Sequence, residues 1–256
     1  MKKTTFYLIA LLALIMSSVG AMAQDGSTPL VNSTHKYSVT PGNGSNTFAW
    51  TIVEGSSPTD YTITAGNTTT ATILWKTAGT YTLQFKETAS TGSCIALVTK
   101  TIVVKNNTFD VVTPGTLTAV CNAASGVANY AGPTVATTVQ FVVTMATGVS
   151  TFNPNWEFSF TLSPGTGATI GTVTSSAGTL SGAGPYLVTG LLSAGGIGTV
   201  TISLPLTTNI NTLNTAAILI TSAKELTYNT PSNNTGNKGA TQTVNAIPAT
   251  SAITAN

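Results

Sequence analysis

Apolar residues in this chain alternate with Thr and Ser in short runs, and turn clusters cut those runs roughly every 8 to 12 residues. Alternation with period two places every second side chain on one face of an extended strand. Helical spacing of apolar residues is almost absent, so the pattern predicts an all-β chain built as sandwiches or barrels. Six strands are expected in the first half, over residues 34–40, 46–53, 59–65, 69–76, 80–87 and 95–104. Phe48, Trp50 and Ile52 share one face of the second, and Tyr81, Leu83 and Phe85 share one face of the fifth. The breaks are turn-forming: Pro41-Gly42-Asn43-Gly44, Glu54-Gly55-Ser56-Ser57-Pro58, Ala65-Gly66-Asn67 and Ala78-Gly79.

The polar stretch Lys105-Asn106-Asn107-Thr108 follows, and residues 105–112 read as a boundary. Beyond it Gly, Ala and Thr dominate. Val139, Phe141, Val143 and Met145 share a face, as do Trp156, Phe158, Phe160 and Leu162, and Val200, Ile202, Leu204 and Leu206. Another strand covers 216–227, weaker ones lie near 116–121, 168–174 and 186–190, and a final one lies at 241–247. The expected organisation is residues 1–23 as a leader, a first sandwich over 28–105, a larger second one over 113–247 and a polar tail over 248–256.

Lys2 and Lys3 precede an apolar run from Phe6 to Met16, and Ala21-Met22-Ala23 offers a small-residue cleavage site before Gln24. This is the layout of a cleavable export signal. The run is shorter than the roughly 18–20 residues of a membrane span, and no later apolar segment is long enough for one, so no membrane span is expected in the mature chain. Cleavage after Ala23 would leave seven Lys against seven carboxylates, a formal charge of zero. The chain is then expected to be secreted or held at the cell surface.

Composition narrows the chemistry. Charged residues are 6% of the 256-residue chain, the nine basic residues are all Lys, and 52 residues are Thr. Nucleic acid is excluded as a partner, because neutralising phosphates needs a basic patch. Catalysis is not expected either. The carboxylates are scattered, with no spacing that pairs two across a cleft. No Gly-x-Ser-x-Gly turn occurs. His35 is the one His, and it is expected to stand exposed at a strand start. Glu54 and Asp60 flank one loop, but calcium takes about six to eight oxygens, so no metal site and no cofactor is assigned.

In the first half, Tyr37-Ser38-Val39, Phe48-Ala49-Trp50, Trp75, Gly79-Thr80-Tyr81-Thr82-Leu83, Gly92-Ser93-Cys94 and Thr101-Ile102-Val103-Val104 together resemble a PKD-like or bacterial immunoglobulin-like domain. The resemblance covers about residues 28–104. It departs from the strict PKD pattern, since Thr51-Ile52-Val53-Glu54-Gly55 stands where a Gly-Asp-Gly follows the first Trp. Val120-Cys121 and Ser125-Gly126 weakly resemble the start of a similar repeat. The resemblance implies two tandem immunoglobulin-like sandwiches of the kind found in surface and adhesion proteins of Gram-negative bacteria.

The role expected is that of a non-catalytic structural or adhesion module, in which stiff sandwiches hold loops and strand edges away from the membrane. Partners would be other surface proteins, the chain itself or extracellular glycan. A glycan-binding alternative rests on Trp75 and Tyr186 as exposed aromatics. Trp50 and Trp156, flanked on their own faces by apolar residues, are expected in cores. A filament or layer alternative uses residues 241–247 as a strand added to the next subunit. Cys94 and Cys121 leave two readings open. If 95–104 and 111–120 formed one hairpin, the thiols would face each other and could bridge. If the chain ran straight on, they would lie beyond the roughly 7 Å Cα limit for a disulfide.

Overall fold

The computed structural model describes residues 26–127, 132–147, 154–192 and 198–249. The leader at 1–23 and residues 250–256 of the tail lie outside them. Every regular element among the described residues is a β-strand. The fold is all-β, as the alternation requires.

Chain contacts separate two compact units. The first takes in the described residues up to Thr108 together with Glu225–Thr230. Its six long strands are β1 (Thr34–Ser38), β2 (Thr47–Ile52), β3 (Tyr61–Thr64), β4 (Thr70–Trp75), β5 (Gly79–Thr88) and β6 (Ile95–Val104). They form two three-stranded sheets, ordered β1-β4-β3 and β2-β5-β6. Each expected strand is present: β1 to β4 are trimmed by a residue or two, β5 is a residue longer at each end and β6 has the expected ends.

The inward side chains of the two sheets form a single core: Tyr37, Trp50, Ile52, Tyr61, Ile73, Trp75, Tyr81, Leu83, Phe85, Ile102 and Val104 among them. Buried aromatic rings with polar tips need partners, and here they have them. Trp75 Nε1 donates to Tyr37 Oη at 3.1 Å, and Tyr37 Oη donates to Gly26 O at 2.6 Å. Trp50 Nε1 donates to Thr68 O at 2.8 Å, and Tyr81 Oη donates to Thr77 O at 3.0 Å.

The second unit holds the chain from Phe109 to Ala146, Asn155–Lys224 and the described residues from Pro231 onward. Its strands are β7 (Phe109–Val112), β8 (Val120–Cys121), β9 (Thr134–Thr147), β10 (Trp156–Pro164), β11 (Thr169–Ile170), β12 (Thr174–Ser175), β13 (Thr179–Ser181), β14 (Tyr186–Leu191), β15 (Thr199–Asn209), β16 (Asn214–Glu225) and β17 (Gly239–Asn245). One sheet runs β13-β14-β10-β16-β17-β8; the other runs β11-β15-β9-β7, with β12 also on β15. Trp156 and Phe160 of β10 and Val200, Ile202, Leu204 and Leu206 of β15 are fully buried.

Two elements correct the sequence reading. Residues 109–112, read as part of a boundary, form β7, and Phe109, Asp110 and Val111 are all buried there. A four-residue strand containing an Asp looks polar in sequence, and its burial depends on Lys238 far along the chain. The strand expected at 241–247 for a neighbouring subunit is β17, and it lies inside its own sheet. It pairs antiparallel with β16 from Asn214↔Val244 to Leu219↔Gly239, and parallel with β8 at Val244↔Val120. Its Ala240, Gln242 and Val244 are buried. It is committed within the chain and is not a free donor strand.

Candidate functional site

The carboxylates show where the scarce charge is placed. Glu87, on β5, accepts from the backbone N–H of Gly42 and Asn43 at 3.1 Å each and from Asn46 Nδ2 at 2.6 Å. These bonds, that from Gly42 foremost, hold its carboxyl below the ordinary range. Glu54 is lowered in the same way by the backbone N–H and the hydroxyl of Thr82. Asp60, across the loop from Glu54, accepts from Ser56 N at 2.9 Å. Glu225 accepts from the backbone of Thr227, Tyr228 and Thr230 at 2.7–3.0 Å. These groups clamp turns. Among the described residues no three His, Cys, Asp or Glu side chains converge as metal ligands.

Asp110 is buried, in the second unit. Burial pushes its carboxyl up, and hydrogen bonds from Lys238, Ser232, Gly236 N and Val111 N more than offset that, leaving it below the usual value. Gly236 N donates at 2.7 Å and Val111 N at 2.8 Å, and Lys238 Nζ also donates to Val111 O at 2.6 Å. The carboxylate is saturated by donors and is a structural pin.

The residues singled out from sequence fall as follows. Trp50 and Trp156 are core residues. Trp75, a candidate glycan contact, is fully buried between Tyr37, Tyr61 and Tyr81. It shares its face of β4 with Ala71 and Ile73, while Lys76 beside it turns away to donate to Pro58 O at 2.7 Å. No sugar reaches that ring. Tyr186 is half-buried, its ring stacked 5.1 Å from Phe160. His35, expected to be exposed, is buried: its Nε2 lies 2.9 Å from Ser33 Oγ, and its ring stacks on Tyr228 at 3.9 Å. Cys94 and Cys121 are both exposed and free. The hairpin that would have set them opposite is not formed, because β6 pairs with β5 along its whole length and Cys121 pairs with Asn245.

The feature that stands apart is β6. It ends the sheet β2-β5-β6, so among the described residues one side of its backbone has no strand partner. The other sheet edges are closed by strands of two to six residues, whereas β6 has ten. Seven consecutive residues, Ile95 to Thr101, are exposed. Ile95 is 57% exposed, Leu97 56% and Val98 54%. Edges of this length are ordinarily blunted by charges, Pro or bulges. Here Lys100 is the single charge from Ile95 to Val104.

The alternation of the hydrogen bonds shows which groups face outward. Val103 N donates to Ser27 O and Lys105 N to Pro29 O, both at 2.8 Å, so a short segment around Ser27–Leu30 runs parallel to the far end of β6. With period two, Ile95, Leu97, Thr99 and Thr101 aim their N–H and C=O groups the same way. Among the described residues these groups meet no backbone partner.

A slot of about 470 Å³ lies beside this stretch. Tyr37, Val39, Trp50, Leu83, Phe85 and Val98 line it, so the sandwich is open along its β1 and β6 margins. Val98 faces the slot and is exposed, whereas Phe85, its partner on β5, is buried. Sequence reading identified the strand but not its exposure. A continuous run such as Ile95-Ala96-Leu97-Val98 normally signals burial on both faces.

No protein-family model matches the sequence, and no curated protein matches it. Among solved structures the chain is similar to a PKD domain at 13% identity, covering 34% of this chain and 85% of that one with a TM-score of 0.27. It is similar to a chimeric titin Z1Z2 at 13% identity, covering 87% and 92% with a TM-score of 0.38. It is also similar to the enterotoxigenic E. coli adhesin CfaE at 9% identity, covering 87% and 97% with a TM-score of 0.35. The all-β assignment itself rests on the strand pairing above. No helix among the described residues is long and apolar enough to cross a membrane.

Proposed function

We propose that this chain is an exported structural or adhesion module, made of two immunoglobulin-like sandwiches of which the second opens with β7 at Phe109, that acts by surface contact and not by catalysis. The observation that carries this reading is β6: a ten-residue sheet edge with seven exposed residues in succession. The carboxylates of Glu54, Glu87 and Glu225 hold turns. An unblunted edge offers backbone hydrogen bonds for affinity and alternate side chains for specificity. Thr-rich, nearly uncharged strands around it present hydroxyls to solvent and little electrostatic repulsion.

The test is exposure on intact cells. An epitope placed after Gly92 is expected to bind antibody without permeabilisation, and the bound signal should vanish when residues 2–23 are deleted. Protein shielded from antibody and from added protease in intact cells overturns the reading.

A further inference from the structure

We propose that β6 pairs with β6 of a second copy, antiparallel, in the register that sets Val98 opposite Val98. The inference rests on the reading of the strand edge as the working surface, and it names the partner. Four outward residues of the exposed stretch carry backbone groups that are unpaired among the described residues: Ile95, Leu97, Thr99 and Thr101. A strand placed against itself antiparallel can satisfy all four in one register, the one centred on Val98. Ile95 then faces Thr101 and Leu97 faces Thr99, each pair exchanging both bonds, for roughly eight backbone hydrogen bonds in all.

The side chains agree with that register. Lys100 falls opposite Ala96, so the stretch's one charge never meets its own copy, a juxtaposition that would be destabilising. Val98 meets Val98 at a pair of the closer, non-hydrogen-bonded type. The two-fold axis sets the inner faces of both sheets on one side, so each copy's Val98 lies toward the mouth of the other's slot, which Lys36 and Lys100 also line. On the outer face Ile95 lines up with Thr101, a pair of β-branched residues of the kind enriched in strands, and Leu97 with Thr99. The other sheet edges, at two to six residues, offer less backbone to pair. A closed two-fold contact also ends growth at the dimer, because it uses the same edge on both copies.

The experiment uses the exported chain, with light scattering and sedimentation velocity over a concentration series. The mass is expected to double with concentration. Thr99→Pro removes an outward N–H and leaves the β5 ladder intact, so it should stay monomeric with an unchanged circular dichroism spectrum. Leu97→Lys, which puts charge on the outer face, should do the same without touching the backbone.

Register is read by Val98→Cys in a Cys94→Ser, Cys121→Ser background. It should yield a disulfide-linked dimer on a non-reducing gel, while Ala96→Cys in that background should not. A monomer at every concentration overturns the proposal, as does a dimer that survives both Thr99→Pro and Leu97→Lys. Cross-linking by Ala96→Cys in place of Val98→Cys overturns the register. A monomer that is still surface-exposed removes this inference and leaves the function above standing; a dimer that is never exported does the reverse.

Discussion

Desolvating a carboxylate and an ammonium costs several kcal/mol per ion, and removing one partner of a buried pair is worse than never having had it. Asp110 and Lys238 sit in that position, with three further donors on the carboxylate. Asp110→Ala should lower the unfolding free energy by about 3–5 kcal/mol, read from denaturant midpoints. The pH dependence has a definite sign. The folded carboxyl lies below its unfolded value, so the unfolded chain takes up the proton first. The stabilisation is complete above about pH 5 and drains away as the pH falls through the folded-state value. Asp110→Asn should therefore flatten the loss of stability on acidification, and an unchanged slope would refute the assignment. Trp75 makes the second prediction at this scale. Trp75→Ala should cost about 3–5 kcal/mol by thermal unfolding, and Trp75→Phe should leave any glycan binding untouched. Its burial was legible in Ala71, Ile73 and Trp75 sharing a face. Lys76 was a false clue, because successive strand residues point to opposite sides. His35 repeats the lesson: it shares the buried face of β1 with Tyr37.

At the scale of elements, period two was a sufficient guide wherever one face is buried and the other wet. All six long strands of the first unit and the aromatic strands of the second follow from it. It was insufficient at β7, where burial depends on a Lys more than a hundred residues away, and at β6, where local sequence cannot say whether a neighbour arrives on the outer side. The placement of β17 was likewise invisible, since a terminal alternating strand reads the same whether it pairs with its own sheet or another copy. The structure now separates those cases. Removing residues 239–256 takes out an interior strand, exposes Ile218 and Ala216 of β16 and breaks the ladder on both sides. The truncated chain is expected to lose cooperative unfolding of the second unit, seen by near-ultraviolet circular dichroism, instead of losing only a flexible end. A truncated chain with an intact near-ultraviolet spectrum would contradict this placement.

For the whole molecule, the relevant quantity is charge. With residues 1–23 removed, positive and negative side chains balance, and the proposed contact joins two nearly neutral strands. Salt screens exposed charges that lie farther apart than about a Debye length, which shrinks from roughly 30 Å at 0.01 M to about 3 Å at 1 M. The dimerisation midpoint should therefore move little between low salt and about 0.5 M salt. The defect of Leu97→Lys, whose added charges approach those of the second copy, should be partly relieved over the same range. A midpoint that shifts strongly with salt in the unaltered chain would point to an electrostatic contact elsewhere.

The pairing of β17 with β8 and β16 also sets an order in time. As the chain emerges with its N-terminus first, β1 to β6 can pair with one another soon after each appears, because their strand pairings are near in sequence, although the stacking of His35 on Tyr228 comes later. The second unit cannot. Val120 waits for Val244, and Asp110 waits for Lys238. Until the last strand is delivered, the buried faces of β10 and β16 stay open, and folding that depends on such distant contacts is slow. Completion of that unit is thus a signal that the chain has been delivered at least as far as Asn245.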